Sequence, residues 1–153
     1  MDFPVRIPFV EQLGFRLNSM SDGTAELSVQ LTNEQTNSFG VAHGGLTMTL
    51  LDVAMAHAAR SVNTRSADFS PGVVTIEMKT SFLRPAQGTL IARGRLLHRT
   101  ATMAFCEGSV LGADGALCAH ATGTFKYLRA LPAASRELRP LNGPPRIEGR
   151  GSA

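Results

Sequence analysis

Asp52 is the residue in this sequence whose chemistry most needs an explanation. It interrupts the segment LTMTLLDVAMAHAAR, which is apolar almost all round and therefore predicts a buried helix over residues 46–60. An unpaired carboxylate in such surroundings is costly, or it takes up a proton with a raised pKa. Two interpretations stay open. Asp52 is either a structural residue at a wet helix edge or loop cap, or a general base or nucleophile in a cleft.

Two glycines, Gly44 and Gly45, stand at the predicted start of this helix. Glycine lets another group approach the backbone closely, and the first N–H groups of a helix have no intrahelical acceptor. At the positive end of the helix dipole, such N–H groups can stabilise a carbonyl oxygen that becomes negative, as an oxyanion hole does. The alternative is that the glycines only allow a tight turn and close packing.

The spacing between these two features constrains the architecture. Asp52 follows Gly44 by eight residues, which corresponds to about 12 Å along a helix. One substrate carbonyl cannot touch both groups in the same chain. If both act on one bond, the carboxylate must come from a second subunit whose helix runs antiparallel alongside, and a two-fold dimer supplies that arrangement twice. The enzymatic interpretation therefore predicts at least a dimer.

These residues also carry a family resemblance. Asn37, five residues, His43-Gly44-Gly45, six residues and Asp52, followed by VTIEMKTSFLRP at 74–85, resemble the phenylacetate-degradation (PaaI-like) branch of hotdog-fold acyl-CoA thioesterases. The resemblance covers roughly residues 12–128. It implies hydrolysis of acyl-CoA thioesters to free acid and CoA, with no metal or cofactor, in a homodimer or a dimer of dimers.

The resemblance implies a catalytic role for each of four residues. The Asp52 carboxylate serves as nucleophile or as general base toward water, and the Gly44 backbone N–H polarises the thioester carbonyl. The Asn37 side chain orients the carbonyl or the lytic water, and Thr75 stands where the family often has a hydroxyl that holds water near the carboxylate. Asn37 and Gly44 are expected from one subunit, Asp52 and Thr75 from the other.

Three further residues are candidates for substrate binding. His43 is expected to hydrogen-bond the loop and shape the glycine turn rather than to act as a base, and Gly45 extends the same turn. Arg84 is a candidate contact for the CoA phosphates, because a guanidinium fork matches phosphate geometry; the alternative is an ordinary solvated arginine. The acyl group itself stays open: aryl, short aliphatic and medium aliphatic chains are all compatible with the sequence.

Two rival functions are considered. A hotdog enoyl-CoA hydratase or dehydratase pairs an aspartate with a histidine, and His57 lies five residues after Asp52. On a continuous helix, however, the two side chains point roughly 140° apart, so His57 is interpreted as a packed or interfacial histidine. The other rival is a non-enzymatic acyl-CoA binding protein, which would keep the glycine turn but has no need for a buried carboxylate.

The elements that position these residues follow from periodicity. One long helix and mainly antiparallel strands with short connections predict an α+β hotdog fold, a five-stranded curved sheet wrapped around a central helix. In the strand that follows the helix, Thr75 falls on the polar phase, opposite to Met78 and Phe82, which suits a side chain turned toward an interface cleft. Besides a short N-terminal helix within residues 3–12, the predicted strands are 24–31, 73–83, 89–97, 102–111 and 117–127.

Charge and cysteine content exclude several classes of function. Residues 1–128 hold ten Lys/Arg and ten Asp/Glu, so they predict one neutral hotdog domain with no reason to bind nucleic acid. The basic excess lies in residues 129–153, a Pro-rich segment predicted to be a flexible tail that includes a possible cloning remnant. With Asp114-Gly115 as the centre of a predicted hairpin turn, Cys106 is expected to oppose Gly123 rather than Cys118, which argues against a disulfide. No segment is long and apolar enough to span a membrane or begins as a secretory signal does, so a cytoplasmic protein is expected.

Overall fold

The structure, a computed structural model, describes residues 1–63 and 72–128. Six strands form one antiparallel sheet in the order β1-β2-β4-β5-β6-β3, and the long helix α2 contacts every strand from one face of the sheet. The predicted α+β arrangement of one sheet around one helix is confirmed. The elements are α1 (Pro8–Gln12), β1 (Arg16–Ser21), β2 (Thr24–Gln30), a 3-10 turn (Asn33–Gln35), α2 (Gly44–Ser61), β3 (Val73–Phe82), β4 (Thr89–Arg99), β5 (Met103–Leu111) and β6 (Leu117–Tyr127).

The predicted number of five strands is wrong, because β1 is a sixth strand. Asp22 and Gly23 both have positive φ, 45° and 84°, and they join β1 to β2 with Ser21 opposite Thr24. Two such residues form the tight hairpin turn whose twist matches the flanking strands. A β-bulge after Leu17 shifts the register of β1 and interrupts its apolar alternation, so the sequence of β1 lacks a strand pattern.

Small residues on the inner face of the sheet fix the depth of α2. Gly94 and Gly108 lie opposite each other on β4 and β5. A Cβ atom on Gly94 would lie 2.3 Å from the carbonyl oxygen of Ala54, and one on Gly108 would lie 3.1 Å from Leu51 and Met55. The middle of the helix therefore rests directly on the backbone of two central strands. This contact holds the residues next to Asp52 in place.

Strand β3 forms one edge of the sheet and runs antiparallel to α2. Its register against β6 shifts between Thr75 and Glu77, so the bulge at Ile76 breaks the predicted alternation. Thr75 lies opposite the fully buried Phe125 and faces the helix rather than sharing the outer face with Glu77. The prediction that Thr75 lies on the phase opposite to Met78 and Phe82 is therefore wrong.

Several other predictions agree with the structure. The predicted short N-terminal helix is α1, with Pro8 in its first turn, whereas the main helix begins two residues earlier than predicted. Cys106 pairs with Gly123, as the hairpin turn predicted, and Cys106 and Cys118 are buried free thiols. No helix within 1–63 and 72–128 is long and apolar enough to cross a membrane. The predicted tail, 129–153, lies outside the described residues.

Candidate active site

The start of α2 presents backbone N–H groups without an acceptor, and that of Gly44 is the first of them. His43 is the N-cap residue, and its Nδ1 accepts a hydrogen bond from the Gly45 N–H at 2.9 Å. The prediction that His43 shapes the glycine turn is confirmed. The Gly44 N–H donates to no group in the part of the chain that the structure describes. It therefore stands at the positive end of the helix dipole, free to donate a hydrogen bond to an external oxygen.

Neither conformation nor packing within the chain requires glycine at position 44. Only five glycines of the described residues have positive φ, and Gly44 and Gly45 are not among them. A Cβ atom on Gly44 would lie 3.4 Å from Cζ of Phe82, which is ordinary van der Waals contact. Gly45 is more restricted, because its Cβ would lie 3.1 Å from Nδ1 of His43. The space beside Gly44 is therefore left open by the chain itself.

Asn37 is held by the loop that precedes the helix. Its Oδ1 accepts hydrogen bonds from the backbone N–H groups of Phe39 at 2.9 Å and Val41 at 3.4 Å. Because backbone N–H groups only donate, these bonds fix which side-chain atom is the oxygen. The Nδ2 group is thereby left to donate elsewhere.

Asn37, Gly44 and Arg84 line one cavity of about 410 Å³. Its wall also includes Thr47 from the first turns of α2 and Phe82 from the end of β3. Sequence reasoning missed both of these residues as parts of a site. The structure thus brings together three of the predicted site residues, whereas His43 and Gly45 are exposed beside the cavity and do not line it.

Asp52 and Thr75 form a second group of predicted site residues. The Thr75 hydroxyl donates to Oδ1 of Asp52 at 2.7 Å, joining the middle of α2 to the start of β3. Asp52 is half-buried and forms no ion pair with another described residue. Burial raises the pKa of its carboxyl above the ordinary value, and the bond from Thr75 opposes that rise.

The two groups are separate within one chain. Neither Asp52 nor Thr75 lines the cavity that contains Gly44 and Asn37. Eight helical residues separate Gly44 from Asp52, so their backbones lie about 12 Å apart in a single continuous helix. A carbonyl bonded to Gly44 is out of reach of the same chain's Asp52.

His57 is buried and does not share a surface with Asp52. Its Nδ1 lies 2.8 Å from the carbonyl oxygen of Val53 and therefore carries the hydrogen, and its ring packs edge-on against Phe3. Burial lowers the pKa of His57 to about 4. The interpretation of His57 as a packed histidine is confirmed.

Comparison with known proteins decides the family. The sequence model described as "Thioesterase superfamily" matches residues 39–119, more than half of the chain and a range that includes Gly44, Asp52 and Thr75. The chain belongs to the thioesterase superfamily. A protein of Saccharolobus solfataricus named "Putative esterase SSO2140" is 31% identical over 118 residues, 76% of this chain and 81% of that protein.

Solved structures of similar proteins share the fold. Conserved protein PA5202 from Pseudomonas aeruginosa is 32% identical, with a TM-score of 0.73 over 82% of this chain and 97% of that one. A mutant of the phenylacetic acid degradation protein PaaI from Thermus thermophilus is 25% identical, with a TM-score of 0.70 over 80% of this chain and 100% of that one. The predicted hotdog fold and the resemblance to PaaI proteins are confirmed. Membership of this superfamily makes the protein a hydrolase of the thioesterase type.

Proposed function

We propose that this thioesterase-superfamily protein hydrolyses acyl-CoA thioesters to a free acid and CoA, at sites formed between two copies of the chain. The observation that carries the proposal is the separation of its two groups. A free Gly44 N–H lies in a cavity, and a half-buried Asp52 carboxylate lies about 12 Å along the same helix. A second copy with an antiparallel α2 brings the partner's Asp52 to the Gly44 of this chain.

The reaction starts with the thioester carbonyl oxygen on the Gly44 N–H. The partner's Asp52 either attacks the carbonyl carbon or removes a proton from a water molecule that attacks it. Negative charge develops on the carbonyl oxygen, where the Gly44 N–H and the positive end of α2 stabilise it. The carbon–sulfur bond then breaks and CoA leaves as a thiolate that takes up a proton. On the nucleophilic route, water hydrolyses the resulting acyl-aspartate anhydride; neither route uses a metal or a redox cofactor.

The other site residues support these steps. Asn37 Nδ2, whose amide oxygen is held by the loop, donates to the carbonyl or to the attacking water. Thr75 holds the Asp52 carboxylate through its hydroxyl at 2.7 Å and keeps one carboxylate oxygen directed. Arg84 at the cavity wall contacts the phosphates of CoA. His43 contributes by capping the turn that presents Gly44, and Gly45 lets the partner approach the helix.

The surface of the chain supports a two-fold partner on α2 and β3. Met48 on α2 is 37% exposed, and the edge strand β3 exposes Val74 and Ile76 by 41% and 53%. A ten-residue edge strand with apolar side chains is suited to pair with another copy. If Gly44 faces the partner's Asp52, the two-fold axis passes near Met48, midway between them.

The same pairing of Gly44 with the partner's Asp52 also places the axis on β3. Gly44 contacts Phe82 and Asp52 bonds to Thr75, so Phe82 of one copy would lie near the partner's Thr75. The midpoint of that pair falls between Met78 and Lys79. Helix and strand thus give consistent positions for one axis, and a dimer of dimers is proposed as the larger assembly.

A cross-linking experiment tests this interface. The variant Met48→Cys should be linked to its own copy by a short thiol-specific reagent, because residue 48 meets itself at the axis. Glu34→Cys, on the exposed 3-10 turn, is the matched control and should stay unlinked. The native thiols are buried. A monomer in solution, or equal linking of both variants, would contradict the interface; mass measurement separates dimer from tetramer.

A thiol-release assay with a panel of aryl and aliphatic acyl-CoA esters tests the activity. Hydrolysis of at least one ester is expected. The hydratase alternative predicts addition of water to an enoyl-CoA with no thiol released, and the binding-protein alternative predicts ligand binding with no turnover. A cytoplasmic location, which we also propose, is checked by fractionation.

A further inference from the structure

Phe82 is a large apolar residue whose position at the cavity has no structural explanation within the chain. It ends β3 opposite the buried Ala119 and points to the helix side of the sheet, yet 55% of it is exposed. On the α2 side the ring lies beside Gly44, which has no side chain to cover it. Atoms Cζ and Cε1 of the ring lie 3.4 and 3.5 Å from the position of a Gly44 Cβ.

The ring stands beside the space into which the Gly44 N–H points. In an α-helix both the Cα–Cβ bond and the N–H bond are directed toward the N-terminus. A group in contact with the Cβ position of Gly44 therefore borders the place where a carbonyl oxygen would accept the hydrogen bond. Phe82 and Gly44 line the same cavity. A carbonyl oxygen about 2.9 Å from the Gly44 nitrogen would put the next carbon of the acyl group within van der Waals reach of the ring.

We propose that Phe82 determines specificity by excluding acyl groups that are branched at the carbon next to the thioester carbonyl. A methylene or a planar aryl carbon presents only hydrogens or a flat face to the ring. A branched carbon places a methyl group out of the thioester plane, where the ring occupies the space. The inference rests on the proposed acyl-CoA hydrolysis for the identity of the ligand and adds the shape of acyl group that the site admits.

The test compares butyryl-CoA with isobutyryl-CoA, which have the same composition and differ in this branch. The native protein should favour butyryl-CoA in kcat/KM by roughly 10-fold or more, since one misplaced methyl group is worth that much in a rigid site. Phe82→Ala should bring the ratio close to one, mainly by raising turnover of isobutyryl-CoA. Phe82→Leu, which keeps part of the bulk, should lie between the two and serves as the second variant if Phe82→Ala folds poorly.

Leu97→Ala is the matched control, because Leu97 is a similarly exposed apolar residue, 49%, on β4 and does not line the cavity. It should leave the ratio unchanged. A native ratio near one, or a ratio that Phe82→Ala and Leu97→Ala leave equally unchanged, overturns the inference even though hydrolysis is observed.

Binding of unreactive analogues separates this inference from the proposed function. The ketones S-(2-oxopentyl)-CoA and S-(3-methyl-2-oxobutyl)-CoA carry the same two alkyl groups on a carbonyl that cannot be hydrolysed. Calorimetry should show the native protein binding the unbranched ketone several-fold more tightly and Phe82→Ala losing that preference. This pattern without thiol release from any ester would support the inference and overturn the hydrolase; equal binding of both ketones by the native protein would overturn the inference.

Discussion

The contact between α2 and β3 has different chemistry at its two ends. At the start of the helix, Gly44 and Phe82 offer an unpaired N–H, an aromatic ring and an open cavity. Two turns along the helix and seven residues earlier on the strand, just before the bulge at Ile76, Asp52 and Thr75 offer a carboxylate and a hydroxyl bonded at 2.7 Å. One end is suited to hold a carbonyl, and the other is suited to attack it or to activate water.

If Gly44 and Asp52 act on one thioester, as we propose, one chain is insufficient. Because α2 is continuous and rests on the backbone of Gly94 and Gly108, the distance between Gly44 and Asp52 within one chain is fixed. Gly44 and Asp52 meet only when the α2 helix of a second copy runs antiparallel to the first. The dimer then contains two such sites. Substitutions at or beside Gly44 and Asp52 should therefore have different effects.

Removing the carboxylate should have the largest effect. Asp52→Asn keeps the shape of the side chain but cannot act as a base or nucleophile, so kcat should fall roughly 10³-fold or more. Binding of an unreactive acyl-CoA ketone should be retained within a few-fold, as calorimetry will show. Unchanged turnover would place the chemistry elsewhere, and a protein that only binds acyl-CoA would show no such separation of binding from turnover.

Removing the amide hydrogen at the other end should have the next largest effect. Gly44 is the first residue of α2, where proline is well tolerated, and His43 already has the extended conformation, φ −61° and ψ 135°, that a following proline needs. Gly44→Pro should therefore fold but lower kcat roughly 10²-fold, the effect of losing one oxyanion donor.

Gly44→Ala is the matched variant, since it keeps the N–H and adds a methyl group that the chain has room for. Its loss in kcat should be clearly smaller than that of Gly44→Pro. Equal losses in the two variants, with unchanged circular dichroism, would show that space and not the N–H matters at this position.

Thr75 should affect both rate and pH dependence. The hydrolase needs Asp52 ionised, so activity falls as the pH drops through the raised pKa of its carboxyl. Thr75→Val removes the hydrogen bond that lowers this pKa, which should move the acid limb of the kcat/KM profile to higher pH and reduce the plateau roughly 10-fold. Thr75→Ser should restore the native profile. A valine variant with an unmoved acid limb would contradict the role of the hydroxyl.

Arg84 should have a smaller effect, confined to binding. Because its side chain is exposed, Arg84→Ala should raise KM only a few-fold and leave kcat unchanged. The native KM should rise with salt concentration, and this rise should be weaker in the variant. An equal salt dependence in both proteins would remove Arg84 from the CoA contacts.

The smallest expected effect is that of Asp52→Asn on stability, which should stay equal or rise slightly although activity falls. Because the pKa of Asp52 is raised in the folded state, the native fold loses stability as the pH rises from the unfolded to the folded pKa of this carboxyl. Asp52→Asn does not undergo this loss. Its Tm at neutral pH should therefore equal or slightly exceed the native value, whereas the two should converge in acid; a lower Tm at neutral pH would indicate a structural aspartate.

Local patterns in the sequence were enough to predict the long helix, the five strands after Gly23 and the turn at Asp114-Gly115. The first strand was missed because the bulge after Leu17 hides the alternation that marks a strand. Strand β3 also contains a bulge, at Ile76, but its sequence still has the alternation typical of a strand.

The candidate site was predicted in part. Asp52 was predicted because burying a carboxylate in an apolar helix costs free energy. Gly44 was predicted because the free N–H groups at a helix N-terminus can donate to an oxygen. The bond between Asp52 and Thr75 depends on the bulge at Ile76, which turns Thr75 to the face of the sheet that packs against α2. The alternation of polar and apolar residues predicted the opposite face. The contact of Phe82 with Gly44 joins residues 38 positions apart, which no local pattern reports.

Complementation between two inactive variants tests the shared site most directly. Asp52→Asn and Gly44→Pro chains with different affinity tags are produced together, and the assemblies that carry both tags are purified in two steps. Each mixed dimer then has one site with native Gly44 from one chain and native Asp52 from the other. Thiol release should rise far above both parents, toward about half of the native rate per dimer. A mixed dimer as inactive as its parents, with each variant folded and associated, would show that the two groups do not act together across the interface.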